Sequence, residues 1–243
     1  MPVLANFSLW NNFFFVVLLQ LFVYIGVLIV AKTRIRKFWM ILIVSALIGL
    51  LFGAFYDLVI GSSIDIFSYR INYSWQFFIL NSIFSYGLAV ATAAAFPPIF
   101  AARGRRVSRS VAACLAVAAV AGVVVLAAFA TWPILRVFSA GGAILAAGEI
   151  AALWLDRRGP IVALFLGQPA YLVRLWIWSA AIGLVYETAN HVFPVWVWGL
   201  LETHSLPTTE LLIVGFGYVV LFHPLVFGWQ VVLKRIESSR EAV

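Results

Sequence analysis

Four carboxylates and two histidines stand where the chain is otherwise apolar, and these are the residues equipped for chemistry. Asp57, Glu149, Glu187 and His223 fall within long hydrophobic runs, while His191 and Glu210 fall near the ends of such runs. An ionisable group inside a bilayer is costly and as a rule faces the interior of a helix bundle. Glu187, Asn190 and His191 are spaced i, i+3 and i+4, which puts them on one face of a helix. A carboxyl group in an apolar site holds its proton, because desolvation penalises the anion. Such an acid can protonate an alkene or an epoxide, and nearby aromatic rings can stabilise the resulting cation. Tyr56, Tyr186, Trp196 and Trp198 are the rings expected to line such a site, with Glu210 and His223 as further lining groups. The competing role for every one of these polar groups is to bond across helices and hold a bundle together, and for Glu149 and Glu210 that is the expected role. His223 precedes Pro224, which frees a carbonyl one turn earlier that the histidine can satisfy. Glu187 and His191 also have the spacing of helical metal ligands, but His204 and His223 fall on separate segments, and neither a metal nor a cofactor is expected.

The elements that must position these groups are membrane helices. Of 243 residues, 65% are hydrophobic and 10% charged, and the mean hydropathy is +1.07. A soluble domain carries about 25% charged residues, so the solvent for this chain is lipid. Seven segments approach the roughly 20 apolar residues that a helix needs to cross a bilayer: about 10–31, 38–60, 74–98, 110–130, 137–155, 172–194 and 209–233. They are expected to form one all-α transmembrane domain over residues 1–243. The stretch 160–173 is short, bounded by Pro160 and interrupted by Pro169, and fits either an interfacial helix or the start of the sixth span. The first ten residues have neither a basic run nor a cleavage signature, so the first span is expected to be retained. Cys114 is the only cysteine, which excludes an internal disulfide and a cysteine-based metal site.

The net charge of +7 does not point to nucleic acid, because the basic residues lie in short runs between apolar segments. Seven spans gather Lys32, Arg34, Arg36 and Lys37, then Arg103, Arg105, Arg106 and Arg109, then Arg157, Arg158 and Arg174, then Lys234, Arg235 and Arg240 on one side. Only Arg70 and Arg136 fall on the other. Basic loops stay in the cytoplasm, so the N-terminus is expected outside and the C-terminus inside, in a bacterial cytoplasmic membrane. Trp10, Phe67, Tyr69, Trp75, Trp132, Trp196 and Trp198 then mark the outer boundary, where aromatic rings favour the headgroup level.

A parallel internal repeat is a candidate over residues 38–98 and 172–233. Phe55-Tyr56-Asp57, Ile66-Phe67-Ser68-Tyr69 and Trp75-Gln76-Phe77-Phe78 in the first half match Val185-Tyr186-Glu187, Val195-Trp196-Val197-Trp198 and Thr209-Glu210-Leu211-Leu212 in the second. Such repeats place sites between halves. The last span has no lysine for a retinal Schiff base, and no Asp-rich diphosphate motif or phosphate-cradling glycine loop is present.

This pattern resembles the membrane-embedded isoprenoid cyclases. One branch, the lycopene cyclase type, repeats an acid, a short aromatic stretch and a Pro-x-Glu-Glu element in each half. The nearest match is Glu187, Trp196-Val197-Trp198 and Pro207-Thr208-Thr209-Glu210, with one acid where the family has two. The other branch, the fungal meroterpenoid and indole-diterpene cyclases, is similar in length and uses an acid in the second span and another in the last. Asp57 fits the first of these positions, and His223 stands where the second acid is wanted. The resemblance implies an acid-initiated cyclase or hydratase, with Glu187 or Asp57 as general acid and with Asn190 and His191 orienting it or taking the final proton. A second expectation is a non-catalytic membrane subunit that binds lipid, quinone or carotenoid and meets partners through its Ala- and Gly-rich fourth and fifth helices. A third is a small transporter. In each case the partner is a hydrophobic small molecule, a lipid or another membrane chain.

Overall fold

The computed structural model of the chain describes residues 2–30, 35–57, 67–71, 74–101, 109–128, 133–198 and 211–233. Its elements are helical apart from one short ribbon. In order they are α1 (Pro2–Val30), α2 (Ile35–Gly53), β1 (Phe67–Tyr69), α3 (Trp75–Leu80), α4 (Gly87–Ala93), α5 (Arg109–Ala128), α6 (Pro133–Trp154), α7 (Pro160–Phe165), α8 (Ala170–Val192), β2 (Trp196–Trp198) and α9 (Tyr218–Phe227). A wide π-helical turn, Asn81–Tyr86, joins α3 to α4. Two more, Ile213–Gly217 and Gly228–Leu233, flank α9.

Five of these columns are long and apolar enough to cross a membrane: Leu9–Gly26, Trp39–Asp57, Trp75–Ala93, Leu135–Trp154 and Ile213–Val232. They leave large apolar side chains such as Phe22, Leu51 and Trp75 exposed. A helix with its backbone bonded internally can present such a face to hydrocarbon. The chain is therefore an α-helical membrane protein with several spans.

The chain divides into two compact units, Met1–Ala95 with Ile182–Leu211, and Phe96–Ala181 with Leu212–Val243. In the first unit, α2 packs on the column that runs from α3 to α4. The α2 contact face repeats every four residues as Ser45, Gly49, Gly53 and Asp57, the spacing that lets backbones approach closely. A Cβ on Gly49 would meet the Ser82 carbonyl and the Gly87 backbone, and one on Gly53 would overlap the Ser82 side chain. The Ser74 hydroxyl caps α3 by accepting from the Phe77 amide at 3.2 Å. β1 and β2 pair antiparallel, with Phe67 opposite Trp198, Ser68 opposite Val197 and Tyr69 opposite Trp196.

In the second unit, α5 lies along α6, close enough that a Cβ on Gly122 would meet the Ser139 carbonyl and Ala143. The helix stop at Phe96-Pro97-Pro98 is held from the side. Gln230 donates to the carbonyls of Phe96 (3.1 Å) and Pro97 (2.9 Å) and accepts from the Ile99 amide at 3.0 Å. This replaces backbone partners that a Pro-Pro segment cannot find in a ladder. The stretch 160–173 forms the separate six-residue helix α7, closed at Gly167 with φ +76°. The longer α8 begins at Ala170.

Candidate functional site

The first unit builds its site around Asp57, which is 2% exposed. Residues 54–57 lie in a π-helical turn that carries this carboxylate. A second π-helical turn supplies two of its partners. An α-helix would set Asn81 and Tyr86, five residues apart, about 140° around its axis. A turn closed by i→i+5 bonds is wider and brings residues at that spacing much closer around the axis, and both side chains reach Asp57. The Tyr86 hydroxyl donates to Oδ1 at 2.7 Å, and Asn81 Nδ2 donates to Oδ2 at 3.2 Å. The third donor is Tyr69 on β1, whose hydroxyl bonds Oδ1 at 2.8 Å while accepting from Asn81 Nδ2 at 2.8 Å. Burial, and then the adjacent Asp57 charge, push the Tyr69 phenol well above its ordinary value. Aromatic rings enclose the cluster. Tyr56 stacks on Tyr86 with centroids 5.8 Å apart, and Phe77 meets Tyr69 edge-on at 4.8 Å.

The second carboxylate of this unit has a parallel arrangement. Glu187 lies near the end of α8, and the Trp198 indole N–H reaches its two oxygens at 3.3 and 3.2 Å. Each acid is thus tied to the third residue of a strand, Asp57 to Tyr69 of β1 and Glu187 to Trp198 of β2. Alternate residues of a strand share a face, and directly paired residues share it too. Phe67, Tyr69, Trp196 and Trp198 therefore form one aromatic face, with Phe67 and Trp198 in contact at 5.7 Å. The buried Trp196 indole N–H has no hydrogen-bond partner among the described residues.

The other expected site residues divide between several places. Asn190 addresses the turn into β2: its Oδ1 accepts from the amides of Val195 (2.9 Å) and Trp196 (3.0 Å), and its Nδ2 donates to the Trp196 carbonyl at 3.0 Å. His191 is exposed in the last turn of α8. Tyr186 is buried. Glu210 and His204 lie outside the described residues.

His223 belongs to the second unit and forms a separate buried pair there. Its Nε2 lies 3.1 Å from Glu149 Oε1, with both side chains fully enclosed. The same carboxylate caps α7, accepting from the amides of Ile161 and Val162 at 3.0 Å each. Two glycines make the room: a Cβ on Gly148 would strike the imidazole, and one on Gly159 would strike the carboxylate. Among the described residues no three His, Cys, Asp or Glu side chains are grouped so as to hold a metal.

Three partners of Asp57 were not expected as such: Asn81, Tyr69 and Tyr86. Asn81 carried the one available signal, a polar amide inside a predicted span. No family model matches the chain, and no curated protein or solved structure matches it.

Proposed function

We propose that the chain is an intramembrane enzyme that uses a buried carboxyl group to start chemistry on an apolar isoprenoid or carotenoid, as an acid-initiated cyclase or hydratase. The observation that carries this reading is the ribbon of the first unit, which ties both Asp57 and Glu187 to one face of four aromatic rings. Acid and aromatic surface are the two components such a reaction needs, the first to deliver a proton and the second to stabilise positive charge on carbon. The Trp196 indole N–H, without a hydrogen-bond partner among the described residues, adds a donor for an oxygen on the substrate. Tyr56 and Tyr69 continue the aromatic wall. The parallel repeat is supported by the matched acid-to-strand bonds in the two halves. The proposed topology has seven spans, with α5 and α8 added to the five apolar columns, the N-terminus outside and the C-terminus inside a bacterial cytoplasmic membrane.

The full set of donors around Asp57 favours a second reading, in which the acids clamp the ribbon of a non-catalytic subunit that binds lipid, quinone or carotenoid. One experiment separates the two. Asp57→Asn and Glu187→Gln are assayed in membranes supplied with linear polyenes and epoxy-prenyl compounds. Loss of turnover with folding retained in at least one variant is the expected result. Full activity in both would remove the acid role, and no turnover by the parent chain on any such substrate would leave the clamp as the better account.

A further inference from the structure

The donors around Asp57 have fixed directions, and those directions place a proton. An amide nitrogen donates and does not accept. Asn81 Nδ2 gives one hydrogen to Asp57 Oδ2 at 3.2 Å and the other to the Tyr69 oxygen at 2.8 Å. The Tyr69 oxygen accepts there, so its own hydrogen goes to Oδ1 at 2.8 Å. The Tyr86 oxygen lies 3.3 Å from that of Tyr69 but 2.7 Å from Oδ1, and the shorter contact takes its hydrogen. Both phenol hydrogens thus converge on one carboxyl oxygen. A carboxyl oxygen offers two lone pairs, and on Oδ1 both are engaged. A proton carried by this carboxyl group therefore belongs on Oδ2.

Delivery from that atom breaks the Oδ2–H bond. The π electrons of an alkene form the new C–H bond, or an epoxide oxygen takes the proton on a lone pair and the C–O bonding pair follows onto oxygen. The electron pair left on the carboxyl group spreads to Oδ1, where two phenol hydrogens already point. Donors set in advance where charge develops lower the barrier without reorganising. A proton lost from the final cation returns to Oδ2 and restores the acid.

We infer that Asn81, Tyr69 and Tyr86 are positioning residues that confine the transferable proton of Asp57 to Oδ2 and stabilise the charge that appears on Oδ1 as it leaves. The inference rests on the reading of Asp57 as an acid under the proposed function. Its test reads the position of the proton without turnover. Infrared spectra of the full-length protein in membranes are recorded across a pH titration, and the stretch of the protonated Asp57 carboxyl is assigned by its loss in Asp57→Asn. With the proton on Oδ2 the carbonyl oxygen is Oδ1, and each hydrogen bond to a carbonyl lowers its stretching frequency. Tyr69→Phe and Tyr86→Phe each remove one donor from Oδ1 and should raise the frequency. Asn81→Leu acts on Oδ2 and should move the band less than either. A band moved most by Asn81→Leu would put the proton on Oδ1 and overturn the inference. So would the lack of a protonated Asp57 band at every pH at which the protein stays folded. Kinetics supply a second arm. Removing one donor to a developing anion costs about 10²–10³ in kcat. Tyr86→Phe should fall by that factor with KM little changed, Asn81→Leu should also lose kcat, and Asn81→Gln, which keeps the amide, should recover part of the loss. A parent chain that turns over while Tyr86→Phe keeps its full kcat would overturn the inference. A parent chain that turns over no polyene or epoxy-prenyl compound would remove the enzyme reading instead, and the infrared bands would still decide where the proton sits.

Discussion

At the scale of single residues, Asp57 is defined by what donates to it. Two phenols and an amide surround one carboxylate, and Tyr69 does double service by accepting from Asn81 while donating to Asp57. The Tyr69 phenol lies outside the spans and is held well above 10.0 by burial and by Asp57. The folded state therefore keeps this proton at a pH where the unfolded chain has lost it, and stability falls as pH rises past 10. Tyr69→Phe removes the titration, so its thermal midpoint should decline less steeply above pH 10 than that of the parent chain, while starting lower at pH 7. The other buried carboxylate gives a prediction of magnitude. Glu149→Ala strips two backbone amides and His223 of their acceptor, and breaking a buried pair in this way costs about 3–5 kcal/mol. His223→Ala leaves the carboxylate bonded to both amides and should cost less. The double variant should lose less than the sum of the two, as residues in one network do, and thermal unfolding in detergent measures all three. That Asp57, Glu149 and His223 fall within long apolar helices was legible, since each interrupts an apolar run. Their partners were not, because the Glu149–His223 contact joins residues 74 positions apart and nothing local specifies it.

Among the elements, the helices were legible because a lipid-facing surface needs apolar side chains, so each span is written as a long, predominantly apolar run. The π-helical turns left no such mark, since they alter backbone bonding without altering hydropathy. The ribbon left only half of one: Phe67-Ser68-Tyr69 and Trp196-Val197-Trp198 were recognisable as similar, yet similarity between two segments does not say that they pair. The close contact of α2 with the Asn81–Tyr86 turn makes a sharper prediction. Overpacking of this kind costs about 1–3 kcal/mol. Gly49→Ala directs its new methyl group at backbone, whereas Gly53→Ala directs it at the Ser82 side chain. Ser82→Gly should therefore rescue the thermal stability of Gly53→Ala and fail to rescue Gly49→Ala. Equal rescue of both would mean that the helices separate freely and that the Ser45-Gly49-Gly53-Asp57 face does not set the position of Asp57.

At the scale of the whole molecule, the number of crossings decides which groups share a side of the membrane. Two columns fall outside the five long apolar spans, α5 because its apolar stretch, Ser110–Val125, is shorter. α5 has 20 residues, with no charge after Arg109. α8 has 23 residues, about 35 Å at 1.5 Å per residue, against a hydrocarbon core of about 30 Å. Its polar residues gather at the ends, with Arg174 near one and Glu187, Asn190 and His191 near the other, so the uncharged middle can sit in lipid while both ends reach headgroups. The positions of the termini do not distinguish five crossings from seven, because both numbers are odd. Probes on either side of α5 and α8 do. In a Cys114→Ala background, single cysteines at Arg105, Thr131, Gln168 and Val197 would be treated with a membrane-impermeant maleimide, first on intact cells and then after permeabilisation. Seven spans place Thr131→Cys and Val197→Cys outside, labelled at once, and Arg105→Cys and Gln168→Cys inside, labelled only after permeabilisation. If the two probes flanking either helix share a side, that helix does not cross, and the basic loops no longer gather on one face. The same labels bear on the acids, because Val197 lies on the ribbon that holds Asp57 and Glu187. Prompt labelling there would put the aromatic face at the outer boundary, where an apolar substrate enters from the outer leaflet.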